Sequence, residues 1–281
     1  MATAVAVARP PLGSEAMTLN PPLAPMRLEP PAPSRPGPAP APAPAGAAPT
    51  PPLMRDDVIV LVLAAMRPDA LWWGWSRIVS RDRPLRHLKG LRFAKALGSG
   101  FEGGFGVRPS KDRQGLFLVF DGQAAADDFL ADSPTWQGYA DHARELFVTQ
   151  LRATSARGRW SGQPLGVSAV APTDGVIAAL TRATIRPSKA LQFWPLAPPA
   201  QVALEAAPGC RLAVGLGEAP LLRQATFSIW DNAAAMEAYA RSGAHGLAAR
   251  TSYRDGFFSE TMFARFVPLM MRGVWKGVRH G

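Results

Sequence analysis

From Val58 onward, apolar runs and helical stretches follow one another in an order that occurs twice. VIVLVLAAM (Val58–Met66) is apolar at every position, the pattern of a strand covered on both faces. A Trp-rich segment at 70–79 predicts a helix. Strands are predicted at 91–97 and 116–120, helical stretches at 124–130 and 139–144, and a last strand at 146–154. The second series gives a strand at 176–185, a helix at 188–193, strands at 210–215 and 224–230, a helix at 233–240 and a strand at 263–271. Period-two alternation carries the strand assignments, as in ATFSIW at 225–230. Each series reads β-α-β-β-α-β.

The two series also match in letters. GLFLVFDGQAAADDFLADSPTWQGYA from Gly115 aligns with QATFSIWDNAAAMEAYARSGAHGLAA from Gln224, and LRFAKALG ending at Gly98 aligns with CRLAVGLG ending at Gly217. The copies close on Arg159-Trp160-Ser161-Gly162 and Val274-Trp275-Lys276-Gly277. A unit of roughly 100 residues is domain-sized and too long for a solenoid repeat. A βαββαβ unit is the ferredoxin-like module. The fold expected is therefore α+β: two duplicated ferredoxin-like units, 53–168 and 169–281, packed as a dimeric α+β barrel-type domain. Ligands of such a barrel bind between one sheet and its helices. The copies differ at one informative place, because His245 of the second has Thr135-Trp136 in its position in the first.

Composition sets the limits. Of 29 prolines, 16 precede residue 53, in a stretch dominated by Ala and Pro that lacks apolar mass to bury. Residues 1–52 are expected to be a disordered tail, and its interrupted opening run does not suit a secretory signal. The longest apolar run, Val58–Met66, falls well short of the roughly 20 residues that span a bilayer. The net charge of +10 is concentrated in RIVSRDRPLRHLK (77–89) and near the C-terminus. No nucleic-acid motif accompanies it, so nucleic acid is not an expected partner, whereas anionic membrane surfaces attract such a face. Cys210 is the single cysteine, which excludes an internal disulfide and a cysteine-rich metal site and suits a reduced cytoplasmic compartment.

Few residues offer chemistry. Gly98-Ser99-Gly100-Phe101-Glu102-Gly103 matches GxGxxG, but the chain runs on through Gly104-Phe105-Gly106 to Pro109 instead of into a helix, which argues against dinucleotide binding. Such a loop allows close backbone approach or a wide hairpin. His245 is read in a short turn between small residues, where an imidazole reaches a planar cofactor without crowding, or serves as an ordinary turn residue. His87, His142 and His280 lie in a basic run, on a polar helix face and at the terminus, and no two histidines have metal-site spacing. Arg182 interrupts an apolar strand. Facing helices, it would need an anion such as a haem propionate; at a rim it would need none. No GxSxG elbow or close carboxylate pair supports hydrolysis. Trp72, Trp73 and Trp75 read as packing or as the wall of a long apolar site.

IAALTRATIRPSKALQFW (177–194), QATFSIWDNAAAMEAYARSGAHG (224–246), FARF (263–266) and LGSGFEGGFGVRP (97–109) closely resemble the spheroidene monooxygenase family, the acyclic-carotenoid 2-ketolases of purple photosynthetic bacteria. The resemblance spans 58–277 and leaves out the Pro/Ala stretch. It implies a haem-dependent oxygenase that acts twice at C-2 of spheroidene or a similar linear carotenoid. Dioxygen and an external electron donor of the ferredoxin type are implied, and the basic surface suits peripheral docking to the membrane where carotenoids reside. The family's AHG/PHG histidine falls on His245, as axial ligand to haem iron. Its LTRAT arginine falls on Arg182, as a residue for propionate binding or for tuning bound oxygen. Segment 71–90, WWGWSRIVSRDRPLRHLKG preceded by Leu71, departs from the family. The alternatives are a cofactor-independent oxygenase or peroxidase-type haem enzyme, and a non-enzymatic haem or lipid carrier.

Overall fold

Residues 54–281 are described by a computed structural model, apart from Pro220 and Ser242 and the side chains of 219, 244, 245, 248, 249 and 253; residues 1–53 lie outside the description. The first series forms β1 (Val58–Met66), α1 (Leu71–Ser80), β2 (Leu91–Gly100), β3 (Pro109–Phe120), α2 (Gln123–Asp132), α3 (Pro134–His142) and β4 (Ala143–Gly158). The second forms β5 (Ile177–Ile185), α4 (Ala190–Phe193), α5 (Ala197–Glu205), β6 (Cys210–Ala219), β7 (Arg223–Trp230), α6 (Ala233–Arg241), α7 (Gly243–Arg254) and β8 (Phe258–Trp275), with a short β9 (Val278–His280) folded back on β8. Several predicted boundaries move: β3 begins at Pro109, seven residues before the predicted strand, β8 runs Phe258–Trp275 where the sequence predicts 263–271, and α5 falls where no helix is predicted. Ala143 and Arg144 open β4 instead of ending a helix, and His245 belongs to α7 instead of a turn.

All pairings between the strands are antiparallel, in the order β4-β1-β3-β2-β6-β7-β5-β8, and β8 returns to β4 to close an eight-stranded barrel. The strand order within each half is the same. The halves meet at two seams of unequal strength. The β2–β6 seam has only Gly98↔Gly217 and Ser99↔Leu216, whereas β4 and β8 pair from Phe147↔Gly273 to Gly158↔Met262. Closure removes the exposed edges that an open sheet would present.

Two-sided burial explains the unbroken apolar run of β1. Ile59, Leu61 and Leu63 point into the barrel with Phe117, Phe147, Leu180, Phe227 and Phe266. Val58, Val60, Val62, Ala64 and Met66 point outward and are covered by the side chains of α1 to α3. Each such Val, Ile, Leu, Phe or Met side chain contributes about 1.5–3 kcal/mol by leaving water.

The closing tetrapeptides lock the halves reciprocally. The Glu260 carboxylate of β8 accepts the backbone N–H groups of Ser161 (3.1 Å) and Gly162 (2.7 Å), just beyond β4. The Glu145 carboxylate of β4 accepts those of Lys276 and Gly277 (3.1 Å each), just beyond β8. Trp160 and Trp275, at equivalent places, are buried in the barrel interior. Gly158 (φ 84°) and Gly273 (φ 116°) hold the left-handed conformation before each tetrapeptide, where a Cβ would collide with the carbonyls of Thr261 and Leu146.

Candidate active site

The outer faces of the two halves carry different side chains on matching strands. In the first half, β3 presents Leu116, Leu118 and Phe120 beside the outer residues of β1, and the face is packed solid. In the second half, β5 presents Ala179, Thr181 and Ala183, and β7 presents Thr226 and Ser228 before Trp230. These short side chains do not reach the helices. The space beneath α5 and α6 is a cavity of about 770 Å³, within the range of small-molecule and cofactor sites. Phe105, Leu204, Trp230, Met236 and Phe263 form its apolar walls, and Thr181, Thr226, Ser228 and Thr261 its floor. A smaller cavity of about 160 Å³ continues it toward Phe193, Leu196 and Ser252, sharing Phe105, Thr181, Ala200, Thr226 and Phe263.

Two arginines, Arg157 near the end of β4 and Arg265 within β8, border the groove. Arg265 is engaged by Glu237 at 3.1 Å. Arg157 is exposed and has no acidic partner among the described residues, so it offers a cation at the rim. Its counterpart on β8, Arg272, instead lies over the ring of Trp136 at 5.8 Å, on α3 of the first half, the helix whose place α7 takes in the second half. Phe105 is held by its backbone N–H, which donates to Gln201 Oε1 of α5 at 2.7 Å. The glycine loop can fold back this far because Gly215 has no Cβ, which would collide with the Gly104 carbonyl. No helix follows the loop, only the start of β3.

Of the two residues singled out by sequence, α7 carries His245 in its first turn and packs against α5 and α6, the roof of the groove. The side chain of His245 lies outside the described residues. Arg182 is on the opposite side of its strand from the groove. Thr181 and Ala183 line the cavities, so by alternation Arg182 points into the barrel, where it is 2% exposed. Its anions are the protein's own carboxylates, Glu260 and Glu218, the latter at 3.2 Å. The expectation of a helix-facing arginine is corrected accordingly: both faces of β5 are covered, and this position belongs to the inner one.

The arginine belongs to a buried network. Lys95 Nζ stands 2.9 Å from Glu218 Oε2, and Trp160 Nε1 donates to Glu218 Oε1 at 2.6 Å. Burial alone would raise the Glu218 pKa, but Lys95, the Trp160 N–H and Arg182 together hold it below the usual carboxylate range. Glu260 is likewise lowered against its burial, by the N–H groups of Gly162 and Ser161 and by Arg182. Both carboxylates are ionised at neutral pH and leave no residual charge for a ligand to satisfy.

Other donors lie away from the groove. His142 stacks on Trp73 at 4.4 Å in the first half, and His280 sits edge-on to Phe147 at 5.3 Å. Burial pushes the Cys210 thiol up to about 11, so it is not a thiolate at neutral pH. Among the described residues there is no cluster of three or more His, Cys, Asp or Glu suited to a metal ion, and no helix long and apolar enough to cross a membrane. Sequence reasoning passed over Phe105, Thr181, Met236 and Arg157 as site residues. Phe105 alone carried a signal, as an aromatic among glycines.

Comparison with known proteins places the chain. A spheroidene monooxygenase of Rubrivivax gelatinosus is 59% identical over 225 residues, covering 80% of this chain and 87% of that protein. The chain belongs to the spheroidene monooxygenase family. A further spheroidene monooxygenase, of Rhodobacter capsulatus, is 37% identical over 213 residues, covering 74% of this chain and 88% of the relative. The family is one of oxidoreductases. No family model matches the chain. Among solved structures, an aldoxime dehydratase crystallised with butyraldoxime has a TM-score of 0.51 at 12% identity, covering 77% of this chain and 82% of that one, a likeness of fold. The groove described above is thus a feature of a spheroidene monooxygenase family member whose mixed α and β barrel recurs in a distant enzyme.

Proposed function

We propose that this chain is a haem-dependent carotenoid monooxygenase that places a keto group at C-2 of spheroidene-type acyclic carotenoids. The observation that carries the reading is the cavity of about 770 Å³ in the second half, built on a floor of small residues in a member of this family. The residues there fit a haem. The walls are apolar and aromatic, and Arg157 at the rim has no acidic partner among the described residues and is available to a carboxylate. His245, proposed as the imidazole donor, belongs to α7, which packs against α5 and α6. The counterpart of this arrangement supports the assignment of His245: on α3 of the first half Trp136 stands in its place, against Arg272 of β8. When bound, haem would supply the activation of dioxygen.

The chain's own residues account for the rest. Phe105, Trp230, Met236 and Phe263 exclude water and hold a polyene by contact alone, since such a substrate has almost no polar handles. Arg182 acts as a positioning residue. Its ion pairs pin β5 from the inside and hold Thr181 and Ala183 on the groove floor. Each hydroxylation consumes one dioxygen, two electrons and two protons, leaving one oxygen on carbon and releasing the other as water. A second hydroxylation at the same carbon gives a gem-diol, which loses water to leave the ketone. The electrons come from an external donor of the ferredoxin type. The same reading makes the two halves copies of one ferredoxin-like unit, a view supported by their shared strand order and reciprocal glutamate locks.

The test is expression in a host that makes spheroidene, followed by mass analysis of the extracted carotenoids. A product with two hydrogens replaced by one oxygen, absent without the gene, is expected. Unchanged spheroidene in a host that accumulates the folded, pigmented protein would overturn the reading.

A further inference from the structure

We infer that the exposed face of α1 and the basic loop after it form a docking surface for an anionic lipid bilayer, and that this surface sets the mouth of a side groove against the membrane. The inference rests on the proposed function, because it supplies the route by which a bilayer-dissolved polyene reaches the cavity.

Helix α1 is apolar on two sides. Its inner side is satisfied, with Trp73 edge-on to Tyr139 at 5.1 Å and Gly74 buried against Met66. Its outer side is not: Trp72 is 88% exposed, Trp75 44% and Val79 76%. These positions lie three and four residues apart and share one face. A large aromatic left in water forfeits its burial, whereas tryptophan at a headgroup layer keeps its ring apolar and its N–H wet.

The charge around this face has one sign. Residues 71–90 hold five basic side chains, Arg77, Arg81, Arg83, Arg86 and Lys89, against the single acid Asp82. Arg86 pairs with Asp82, and Arg81, Arg83 and Lys89 are exposed with no acidic partner among the described residues. A short amphipathic helix with a cationic collar is the form that binds in the plane of an anionic interface. No helix among the described residues is long and apolar enough to cross a bilayer.

The groove beside this face gives docking a purpose. Trp75 and Ile78 form one bank and Trp194 and Leu221 the other, over a floor of glycines at the weak β2–β6 seam, enclosing about 150 Å³. Its acids are neutralised, Asp112 by Arg144 and Glu218 by Lys95 and Arg182, while Lys111 and Arg223 are exposed without acidic partners among the described residues. Phe105 lines this groove, the side cavity and the main cavity, and Gln224 lines the first two. A linear substrate entering beside Trp75 would pass Phe105 to reach the floor at Thr181.

The experiment is co-sedimentation of the full chain with vesicles of phosphatidylcholine alone or mixed with phosphatidylglycerol at about three to one. Binding to the mixed vesicles, weaker binding to the neutral ones and release at roughly 0.5 M salt are expected. Trp72→Ser/Val79→Ser and Arg83→Glu/Lys89→Glu, all at exposed sites outside the groove, should each lower partitioning by about 10-fold or more. Both should still convert carotenoid presented in detergent micelles. The proposal is overturned if the wild type ignores anionic vesicles, or if the variants sediment as it does. It is also overturned if the face proves to bind a second copy, seen as a dimer that Trp72→Ser/Val79→Ser converts to monomer without vesicle binding. Vesicle binding with no micellar turnover would instead count against the carotenoid oxygenase reading and leave the docking surface standing.

Discussion

At the scale of single residues, Arg182 exposes what a sequence can and cannot say about a charge. The need for an anion was legible, because a guanidinium in IAALTRATI cannot be buried alone. Which face it occupied was not, because alternation sorts neighbours into two sets without saying which set is inside when a closed barrel covers both. Removing the side chain leaves Glu218 buried with one cation fewer, so Arg182→Ala is expected to lower stability by about 3–5 kcal/mol, read from urea unfolding. The same network fixes an acid response. Glu218 and Glu260 have folded pKa values below their unfolded ones, so their stabilisation is present above the ordinary glutamate range and is lost as pH falls through the lowered values. Thermal melts between neutral and strongly acidic pH should decline over that window, and Glu218→Gln should flatten the decline. His245→Ala is a separate case: it should abolish stable haem binding with an unchanged urea midpoint, and a normal Soret band in that variant would refute the ligand assignment.

At the scale of elements, the strands were legible and the roof of the groove was not. Alternation placed β7 to within a residue and the C-terminal half of β3, but α5 opens on Ala197-Pro198-Pro199 and α7 on Gly243-Ala244-His245-Gly246, compositions that read as loop. Proline is tolerated in a first helical turn, and tertiary packing carries a helix that glycine disfavours. The groove floor was present in the letters as small residues on β5 and β7, yet their meaning emerges only beside the packed face of β1 and β3. Filling that floor with Ala179→Leu/Thr181→Leu should keep the melting temperature within a few degrees of the wild type, because the added carbon occupies existing space. The interlocking turns predict the opposite sign. Gly158→Ala and Gly273→Ala should each destabilise by roughly 1–3 kcal/mol, because a Cβ is forced into a left-handed backbone against a carbonyl of the other half.

At the scale of the whole molecule, a repeated β-α-β-β-α-β order anticipated a barrel, and the structure closes one through β4 and β8. The repeat also framed the asymmetry that matters. One half spends its outer face on packing, and the other keeps it open beneath α5 and α6, against which α7, the helix that carries His245, packs. The central claim is that this open face of the second half is the cofactor and substrate site. Haem titration of the purified chain, followed at the Soret band for the wild type and for Ala179→Leu/Thr181→Leu, tests it directly. Saturation at one haem per wild-type chain with none taken up by the folded double variant is the predicted result; equal uptake by both would contradict the account.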